Sequence, residues 1–438
     1  MKAHFFDLAD RLGRALPPDE ILLLYLSGER SDFVRLNQGK VRQAGSVEQR
    51  YLTVRLVRKP RQAAATLALA GDGGDLEAAR AALAGLRDLL PQLPEDPWLM
   101  IAETPRSTST ERRGRLAPAV EVTQQVVAAA RGRDLVGFYA AGTLYRGFAN
   151  SFGQRNWHQV ESFHLDWSLY LHGDKAVKSG YAGFDWEPAA FEAKLEEAAE
   201  KLALLSIPPR TIEPGEYRAY LAPRAMEELM GLLCWGSFSA RAQTTGQSPL
   251  LRMEHGATFS PQVTLIEKVE AGVAPPFQQE GFIKPATVTL IDRGRLGEPL
   301  VSPRSAREYG LPTNGANAAE TPQSLDMAPG TLDEKDALAA LDTGLAVGNL
   351  WYLNYSDRPA GRITGMTRFA TFWVEGGRIV SPVEPMRFDD SIYRMLGENL
   401  ADLTRAPELL LDPSTYGERS TASARLPGAL LRSLRFTL

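Results

Sequence analysis

The strongest alternation of apolar and polar residues lies between residues 344 and 380, where it predicts three strands and a hairpin. Two alternating sets make up the first strand: Leu350, Tyr352 and Asn354 on one side, and Trp351, Leu353 and Tyr355 on the other. Pro359-Ala360-Gly361 then turns the chain into a second strand over residues 362–375. Gly376-Gly377 is a two-residue loop that tolerates positive φ, so residues 378–380 are expected to pair back on the second strand.

The N-terminal half alternates between strand and helix patterns. Strands are predicted over residues 20–26, 32–38 and 49–57, an amphipathic helix over 75–90, and a four-stranded meander over 135–183. A stretch rich in Pro and Gly, residues 207–215, then marks a domain boundary. The patterns together predict an α+β protein.

These patterns predict three regions. They are an N-terminal α/β region over residues 1–103, a β-meander plus helix over 104–209, and a C-terminal antiparallel-sheet domain over 210–438. Residues 104–115 have almost no apolar side chain, which favours a solvated interdomain linker over a mobile loop beside a substrate cleft.

One predicted strand, residues 157–172, places His158, His164 and His172 on a single face. At about 3.3 Å per residue, His158 and His164 are roughly 20 Å apart. Ligands of one zinc ion lie about 2 Å from it, so this strand alone does not build a metal site. The histidine face is therefore expected to be solvated, opposite a buried apolar face.

The composition narrows the class of protein. The chain has 438 residues and is 44% apolar, which is enough for two or three domains with sizeable cores. No apolar run approaches the roughly 18 residues of a membrane span, and the N-terminus lacks the apolar core of a signal peptide. A single cysteine and a net charge of −4 indicate a cytoplasmic protein that does not bind nucleic acid.

A long ordered pattern carries a resemblance to a known family. From Gly344 to Leu396 the chain reads GL.V..LWY…TG.TR…F.VE.GRIV.PV…RF.DS..RML. This order resembles the C-terminal domain of the TldD/PmbA (TldD/TldE) family. Its members are subunits of bacterial and archaeal metallopeptidases. The resemblance implies that family's fold and a role in the proteolysis of peptides.

The resemblance also shows where a metal would be bound. In the catalytic members, a helix after the domain boundary carries His-Glu-x-x-x-His, whose imidazoles hold the metal while the Glu takes a proton from metal-bound water. Counted back from Ser248, the motif falls on Gly231, Leu232 and Gly236. The family's C-terminal Cys is replaced by Ser and Ala in residues 419–431. The chain is thus similar to the metal-free TldE/PmbA-like subunit.

We therefore expect no catalytic residue and no metal or other cofactor in this chain, with zinc or a similar divalent metal in a TldD-like partner. As a member of a metallopeptidase family, the chain would then be a non-catalytic subunit of a heterodimer that acts on unfolded peptides. The alternative is a homodimeric peptide-binding or regulatory protein without hydrolysis. No membrane contact is expected.

One segment suits peptide binding, because a peptide held as an added strand is recognised largely through its main chain. Its candidate residues are Gly361, Arg362, Thr364, Gly365, Met366, Thr367 and Arg368. In this prediction the glycines permit close approach, and Arg368 binds a carboxylate. The competing reading is a core strand with a Gly bulge.

Three other groups contain residue types that can carry chemistry. Cys234 lies in an apolar run and is expected to be a buried structural thiol. Glu227 and Glu228 diverge by about 100° on a helix, so we expect both to be solvated. His255 has no second ligand at helical spacing and is expected on the surface.

Overall fold

The structure is a computed structural model that describes residues 1–173 and 175–437. Its helices are α1 Lys2–Gly13, α2 Gly74–Leu89, α3 Ala119–Ala129, α4 Pro188–Leu204, α5 Pro223–Cys234, α6 Ala240–Thr244, α7 Leu251–Glu254, α8 Pro303–Tyr309 and α9 Ala337–Leu341. None of the helices in these residues is both long and apolar enough to cross a membrane.

Twenty strands are present in the described residues. They are β1 Ile21–Asn37, β2 Lys40–Arg58, β3 Arg61–Ala68, β4 Thr108–Arg112, β5 Asp134–Asn150, β6 Arg155–His172, β7 Lys175–Gly183, β8 Gly215–Leu221, β9 Leu265–Lys268, β10 Thr287–Asp292, β11 Arg295–Leu296, β12 Ser324–Met327, β13 Gly344–Asp357, β14 Arg362–Glu375, β15 Arg378–Pro382, β16 Arg387–Ser391, β17 Leu400–Leu403, β18 Glu408–Leu411, β19 Ser423–Leu426 and β20 Ala429–Phe436. The predicted α+β class is confirmed.

The N-terminal sheet has seven strands in the order β3-β2-β1-β5-β6-β4, with β7 paired to β6. The predicted regions 1–103 and 104–209 therefore contribute to one sheet. β1 and β2 form one long hairpin, closed by Gln38 and Gly39 with φ of 52° and 65°. The sequence analysis shortened both strands, because residues 40–46 are exposed on both faces and show no apolar period.

Four helices cover one face of this sheet. α1 and α2 pack on Leu24, Leu52 and Trp157. α3 and α4 pack on Leu165 and Trp167. The apolar face predicted for residues 157–172 is therefore buried, as expected for an amphipathic sheet.

The prediction of a solvated histidine face is wrong, because the C-terminal domain packs on it. Val160 on that face contacts Val273 and Leu411. His158 Nδ1 lies 2.8 Å from the Thr110 hydroxyl, and its Nε2 lies 3.1 Å from the Val273 carbonyl oxygen. Burial lowers the pKa of His158 to about 4 and that of His164 to about 3. Both imidazoles are therefore neutral structural groups, and the third histidine of the set is exposed.

Residues 104–115 are not simply a linker. Thr108–Arg112 forms β4, which pairs in parallel with β6 over Asn156–Val160. Strand pairing uses the backbone, so an edge strand of exposed polar side chains forms without an apolar pattern.

The C-terminal domain contains two sheets. A six-stranded sheet has the order β11-β10-β9-β12-β19-β18, and a seven-stranded sheet has the order β13-β8-β20-β16-β14-β15, with β17 paired to β20. The predicted strand over residues 362–375 and its Gly376-Gly377 hairpin with β15 are confirmed. α5 packs on β13, and its apolar side chains belong to the largest core of the described chain.

Arg419 ties the C-terminal domain to the N-terminal sheet. Its guanidinium donates to the carbonyl and hydroxyl oxygens of Ser162 at 3.0 and 2.9 Å, to the Gly142 carbonyl at 3.3 Å, and to the Ser31 hydroxyl at 3.4 Å. These acceptors belong to β6, β5 and β1. Burial lowers the pKa of Arg419 to about 10, so the side chain stays charged at neutral pH.

Replacing Arg419 with Met, which has a similar length, should lower the free energy of unfolding by about 2 kcal/mol, since hydrogen bonds from a charged donor are lost and buried acceptors remain. Urea unfolding followed by circular dichroism measures the change. Arg405→Met, at an exposed position, is the matched control and should change it by less than about 0.5 kcal/mol. Equal losses for the two variants would contradict the structural role of Arg419.

Candidate functional site

The helix that bears the metal motif in catalytic relatives is α5. Pro223 is its first residue, and four apolar side chains anchor it in the core: Met226, Leu229, Met230 and Leu233. The helix ends at Cys234, and Gly236 then reverses the chain with a φ of 82°. The three motif positions therefore lie at the C-terminal end of the helix.

The side chains at these positions do not fit a metal. Gly231 is exposed, and a Cβ built on it would meet no atom within 4 Å. Leu232 is buried in the core. Nowhere in residues 1–173 and 175–437 do three His, Cys, Asp or Glu side chains come together as a metal would require. We derive no chemical step through a metal on this chain.

The other end of α5 carries a half-buried ion-pair network. Arg224 lies 3.1 Å from Asp166 of β6 and 3.1 Å from Glu227. Burial raises the pKa of Glu227 and of Asp166, and the nearby Arg224 opposes both shifts. Glu227 is only partly exposed, because it is paired with Arg224, whereas Glu228 is exposed as expected.

Packing explains why sequence reasoning missed this network. The Arg224 guanidinium crosses to β7, where a Cβ on Gly180 would lie 1.9 Å from it. The acidic partner Asp166 is 58 positions away in sequence from Arg224. Only the approach of the two sheets brings them together, so no local spacing signals the contact.

The single cysteine, Cys234, is partly buried against the core. Burial raises the pKa of the Cys234 thiol to about 12, and the nearby Glu267 carboxylate adds to the shift. A thiol with this pKa is protonated at neutral pH and therefore unreactive. His255 is exposed, as predicted.

The predicted peptide-binding segment lies in β14, and both of its edges are occupied. Residues Arg362–Met366 pair with Asp357–Trp351 of β13 on one side and with Ser391–Arg387 of β16 on the other. A peptide cannot add as a strand here without displacing one of these neighbours. The expected binding mode is therefore wrong for this segment.

The candidate residues separate into two groups. Arg362, Met366 and Arg368 are exposed and Thr364 is partly exposed, whereas Gly361, Gly365 and Thr367 are buried. A Cβ at Gly361 would lie 2.8 Å from the Tyr393 ring, and one at Gly365 would lie 2.7 Å from the Phe388 ring. Internal packing thus accounts for both glycines.

An aromatic and cationic patch borders the exposed group, and we call it the hairpin patch. It consists of Trp351, Tyr352, Met366, Arg368 and Phe369. The Arg368 guanidinium lies 4.9 Å from the Trp351 ring centroid and 5.4 Å from that of Phe369. The exposed fraction of Tyr352 is 80%. Large exposed apolar side chains grouped in this way mark interaction sites.

Backbone irregularities create the hairpin patch. Tyr352 and Phe369 have φ values of 57° and 61°, and the register of β13 on β14 shifts beside both residues. The sequence analysis placed Leu350 and Tyr352 on one side. In the structure the two side chains lie on opposite sides. Leu350 is only 1% exposed, whereas the bulge after Trp351 turns the side chain of Tyr352 outward.

A cavity of about 780 Å³ lies between the N-terminal domain and the β13–β14 hairpin. Ala346, Asn349 and Phe372 line its C-terminal side, and α4 with β7 lines the other. Lys194 and Glu408 form an ion pair of 2.8 Å among its lining residues. A volume of this size suits a small molecule or a few peptide residues.

Comparison with known proteins shows which family and which solved structures the chain resembles. Residues 214–437, more than half of it, match the family model described as the PmbA/TldA metallopeptidase C-terminal domain. TldE from Thermococcus kodakarensis has the same fold, with 14% identity and a TM-score of 0.80, covering 99% of this chain and 100% of that one. No curated protein matches the chain.

Two further structures share the fold, and each is described as a proposed modulator of DNA gyrase. The Thermotoga maritima protein is 16% identical, with a TM-score of 0.75 over 100% of this chain and 99% of its own. The Bacteroides thetaiotaomicron protein is 16% identical, with a TM-score of 0.76 over 100% of this chain and 98% of its own. With the family model across its C-terminal half and this fold along its whole length, the chain belongs to the TldD/PmbA family.

Proposed function

We propose that this chain is the metal-free subunit of a two-subunit TldD/TldE-type peptidase of the cytoplasm. It binds and orients unfolded peptides, and a TldD-like partner that carries zinc or a similar divalent metal hydrolyses them. The observation that carries the proposal is the end of α5, where glycine and leucine stand at all three motif positions. The fold likeness to a TldE supports the same subtype.

The packing around α5 is consistent with a subunit that has the family's fold but no catalytic metal site. Met226, Leu229 and Leu233 are fully packed, and Arg224 holds the start of the helix against β6. Of the motif positions, Gly231 is exposed, Leu232 packs in the core, and Gly236 follows the end of the helix. The packing that holds α5 therefore needs no metal, and the chain keeps a surface for a partner.

Peptide binding is assigned to the exposed side chains of the β13–β14 hairpin. Because both edges of β14 are paired, recognition uses the outer face of the sheet. Trp351 and Tyr352 offer flat apolar surfaces for side chains of varied size. Arg362 and Arg368 offer donors to peptide carboxylates and carbonyl oxygens. Contacts of this kind tolerate many sequences, as a general peptide-binding subunit requires.

A second candidate is a homodimeric peptide-binding or regulatory protein without hydrolysis. Two fold relatives are described as proposed modulators of DNA gyrase, which favours a regulatory role for them. The net charge of −4 gives no support for direct DNA contact by this chain. Failure to form a mixed complex with a TldD-like subunit would favour this candidate.

The isolated chain should show no metal-dependent cleavage of an unstructured peptide and should retain no stoichiometric zinc after dialysis, because its motif positions offer no ligands. Adding a TldD-like subunit should give a mixed complex with cleavage that a chelator abolishes. Mass spectrometry of the peptide and elemental analysis of each subunit measure both results.

The control for this assay is the TldD-like subunit with its two motif histidines replaced by alanine, which should remove activity from the mixture. Robust cleavage by the isolated chain, with tightly bound metal in it, would refute the proposal. Cleavage that persists when a chelator has removed the metal would indicate a contaminating peptidase.

Replacing Arg368 with Ala should weaken binding of a fluorescent unstructured peptide about fivefold to tenfold, since a charge-assisted contact of about 1 kcal/mol or more is lost. Trp351→Ala should weaken it similarly by removing the ring that Arg368 covers. Fluorescence anisotropy with the mixed complex measures the affinity.

Arg307→Ala, at an exposed position of α8, is the matched control and should leave the affinity unchanged. Thermal unfolding of each variant shows whether the fold is preserved. An unchanged affinity in both hairpin variants would exclude the hairpin patch as the peptide surface.

A further inference from the structure

A second pocket, of about 960 Å³, lies beside the turn that joins β13 to β14. α7 and this turn contribute to its lining, and so do residues 397–400 and β20. Five of the lining residues are arginines, although the chain as a whole has a net charge of −4. They are Arg252, Arg362, Arg394, Arg432 and Arg435. We call this the arginine pocket.

Two of the five arginines are paired with acids. Arg394 lies 3.0 Å from Glu216 and 3.4 Å from Asp390, and Arg435 lies 2.8 Å from Glu216. Hydrogen bonds from Ser433, Arg435 and Arg394 lower the pKa of Glu216 to about 2. This carboxylate is therefore charged at neutral pH and holds both arginines.

The other three arginines form no ion pair within residues 1–173 and 175–437. Arg252 donates to the Ala360 carbonyl oxygen at 3.3 Å, and Arg432 donates to two backbone carbonyl oxygens. Arg362 is exposed, and its guanidinium forms no hydrogen bond with the described residues. A carbonyl oxygen carries no full charge, so three guanidinium charges in one pocket are left without a counter-charge.

The acids that line the pocket do not supply this counter-charge. Asp389 is engaged by Arg387 at 2.9 Å. The Asp390 side chain is fully buried beside Arg394. Glu398 lies 3.6 Å from Arg394, and the exposed fraction of its side chain is 74%. An anion from outside the chain can therefore pair with the remaining arginines.

The arginine pocket continues the outer face of the hairpin patch. Along β14, the side chains of Arg362, Thr364, Met366 and Arg368 are exposed or partly exposed, and those between them are buried. β14 pairs with β16 over residues 362–366 without a register shift, so these side chains share one face. Met366 of the patch lies four residues, about 13 Å, from Arg362. An extended peptide on the patch spans this distance with about four residues.

We propose that the arginine pocket binds a carboxylate of the peptide through Arg252 and Arg362, so that the chain prefers peptides with acidic side chains or a free C-terminus. A guanidinium binds a carboxylate through two parallel hydrogen bonds, which suits both sources. Arg432 adds a third positive charge to the same pocket. The inference rests on the proposed function, because that function brings a peptide to the neighbouring patch.

Four unstructured fluorescent peptides of one length separate the two sources of carboxylate. One is rich in glutamate and its counterpart has glutamine instead, and each is made with a free and with an amidated C-terminus. The protein is the full chain in complex with a TldD-like subunit whose motif histidines are alanine, so no peptide is cleaved. Fluorescence anisotropy should show binding at least about fivefold tighter for the preferred carboxylate than for the amidated glutamine peptide. Added salt should reduce this preference.

Arg252→Gln and Arg362→Gln should each reduce the preference about threefold, and the double variant should abolish it. Arg362→Lys keeps the charge and should retain part of the preference. The amidated glutamine peptide should bind all variants to within about twofold, which a general loss of the peptide surface would not allow. Arg307→Gln, at an exposed position of α8, is the matched control and should keep the full preference. Thermal unfolding shows whether each variant is folded.

Two results would overturn the inference alone: equal affinity for all four peptides, or an unchanged preference in the Arg252 and Arg362 double variant. A preference that survives in the double variant but is lost in Arg368→Ala would assign the carboxylate to the hairpin patch instead. Failure of the complex to bind any of the peptides would overturn the proposed function and this inference together.

Discussion

The packing of the C-terminal domain on one face of the N-terminal sheet is the interaction on which the rest of the structure depends. That face carries His158, Ser162 and Asp166, polar groups that require partners once water is excluded. The Val273 carbonyl, Arg419 and Arg224 of the C-terminal domain supply them. Buried polar contacts of this kind add orientation to the apolar packing, so the two parts of the chain are held in one arrangement.

In this arrangement, the contacts that hold α5 in place do not require a metal at the motif positions. Arg224 fixes the start of α5 against β6, and the apolar face of the helix fixes the rest. Of the positions that hold a metal in catalytic relatives, Leu232 belongs to this packing, Gly231 faces outward on the last turn, and Gly236 follows the helix. Gly231 is exposed there without cost to the core. The chain therefore keeps the fold of the TldD/PmbA family although its three motif positions carry glycine and leucine.

Local pattern predicted the elements whose partners are close in sequence. The β14–β15 hairpin was predicted from its Gly-Gly turn and α2 from its apolar period, because each of these signals lies within its own segment. β4 was missed because its pairing with β6 is parallel and uses only the backbone. The outward turn of Tyr352 was also missed, since a bulge breaks the two-residue period on which the side assignment depends.

The sequence by itself determined that the three motif positions have no metal ligands, because folding cannot supply an imidazole or carboxylate that the chain lacks at Gly231, Leu232 and Gly236. It also determined the family, through an ordered pattern along the C-terminal half. Only the tertiary structure decided which polar faces are buried and which strand edges are open. His164 is buried because the C-terminal domain, far away in sequence, packs on its face of the sheet, which no local spacing encodes. Both edges of β14 are occupied because β13 and β16 pair with it.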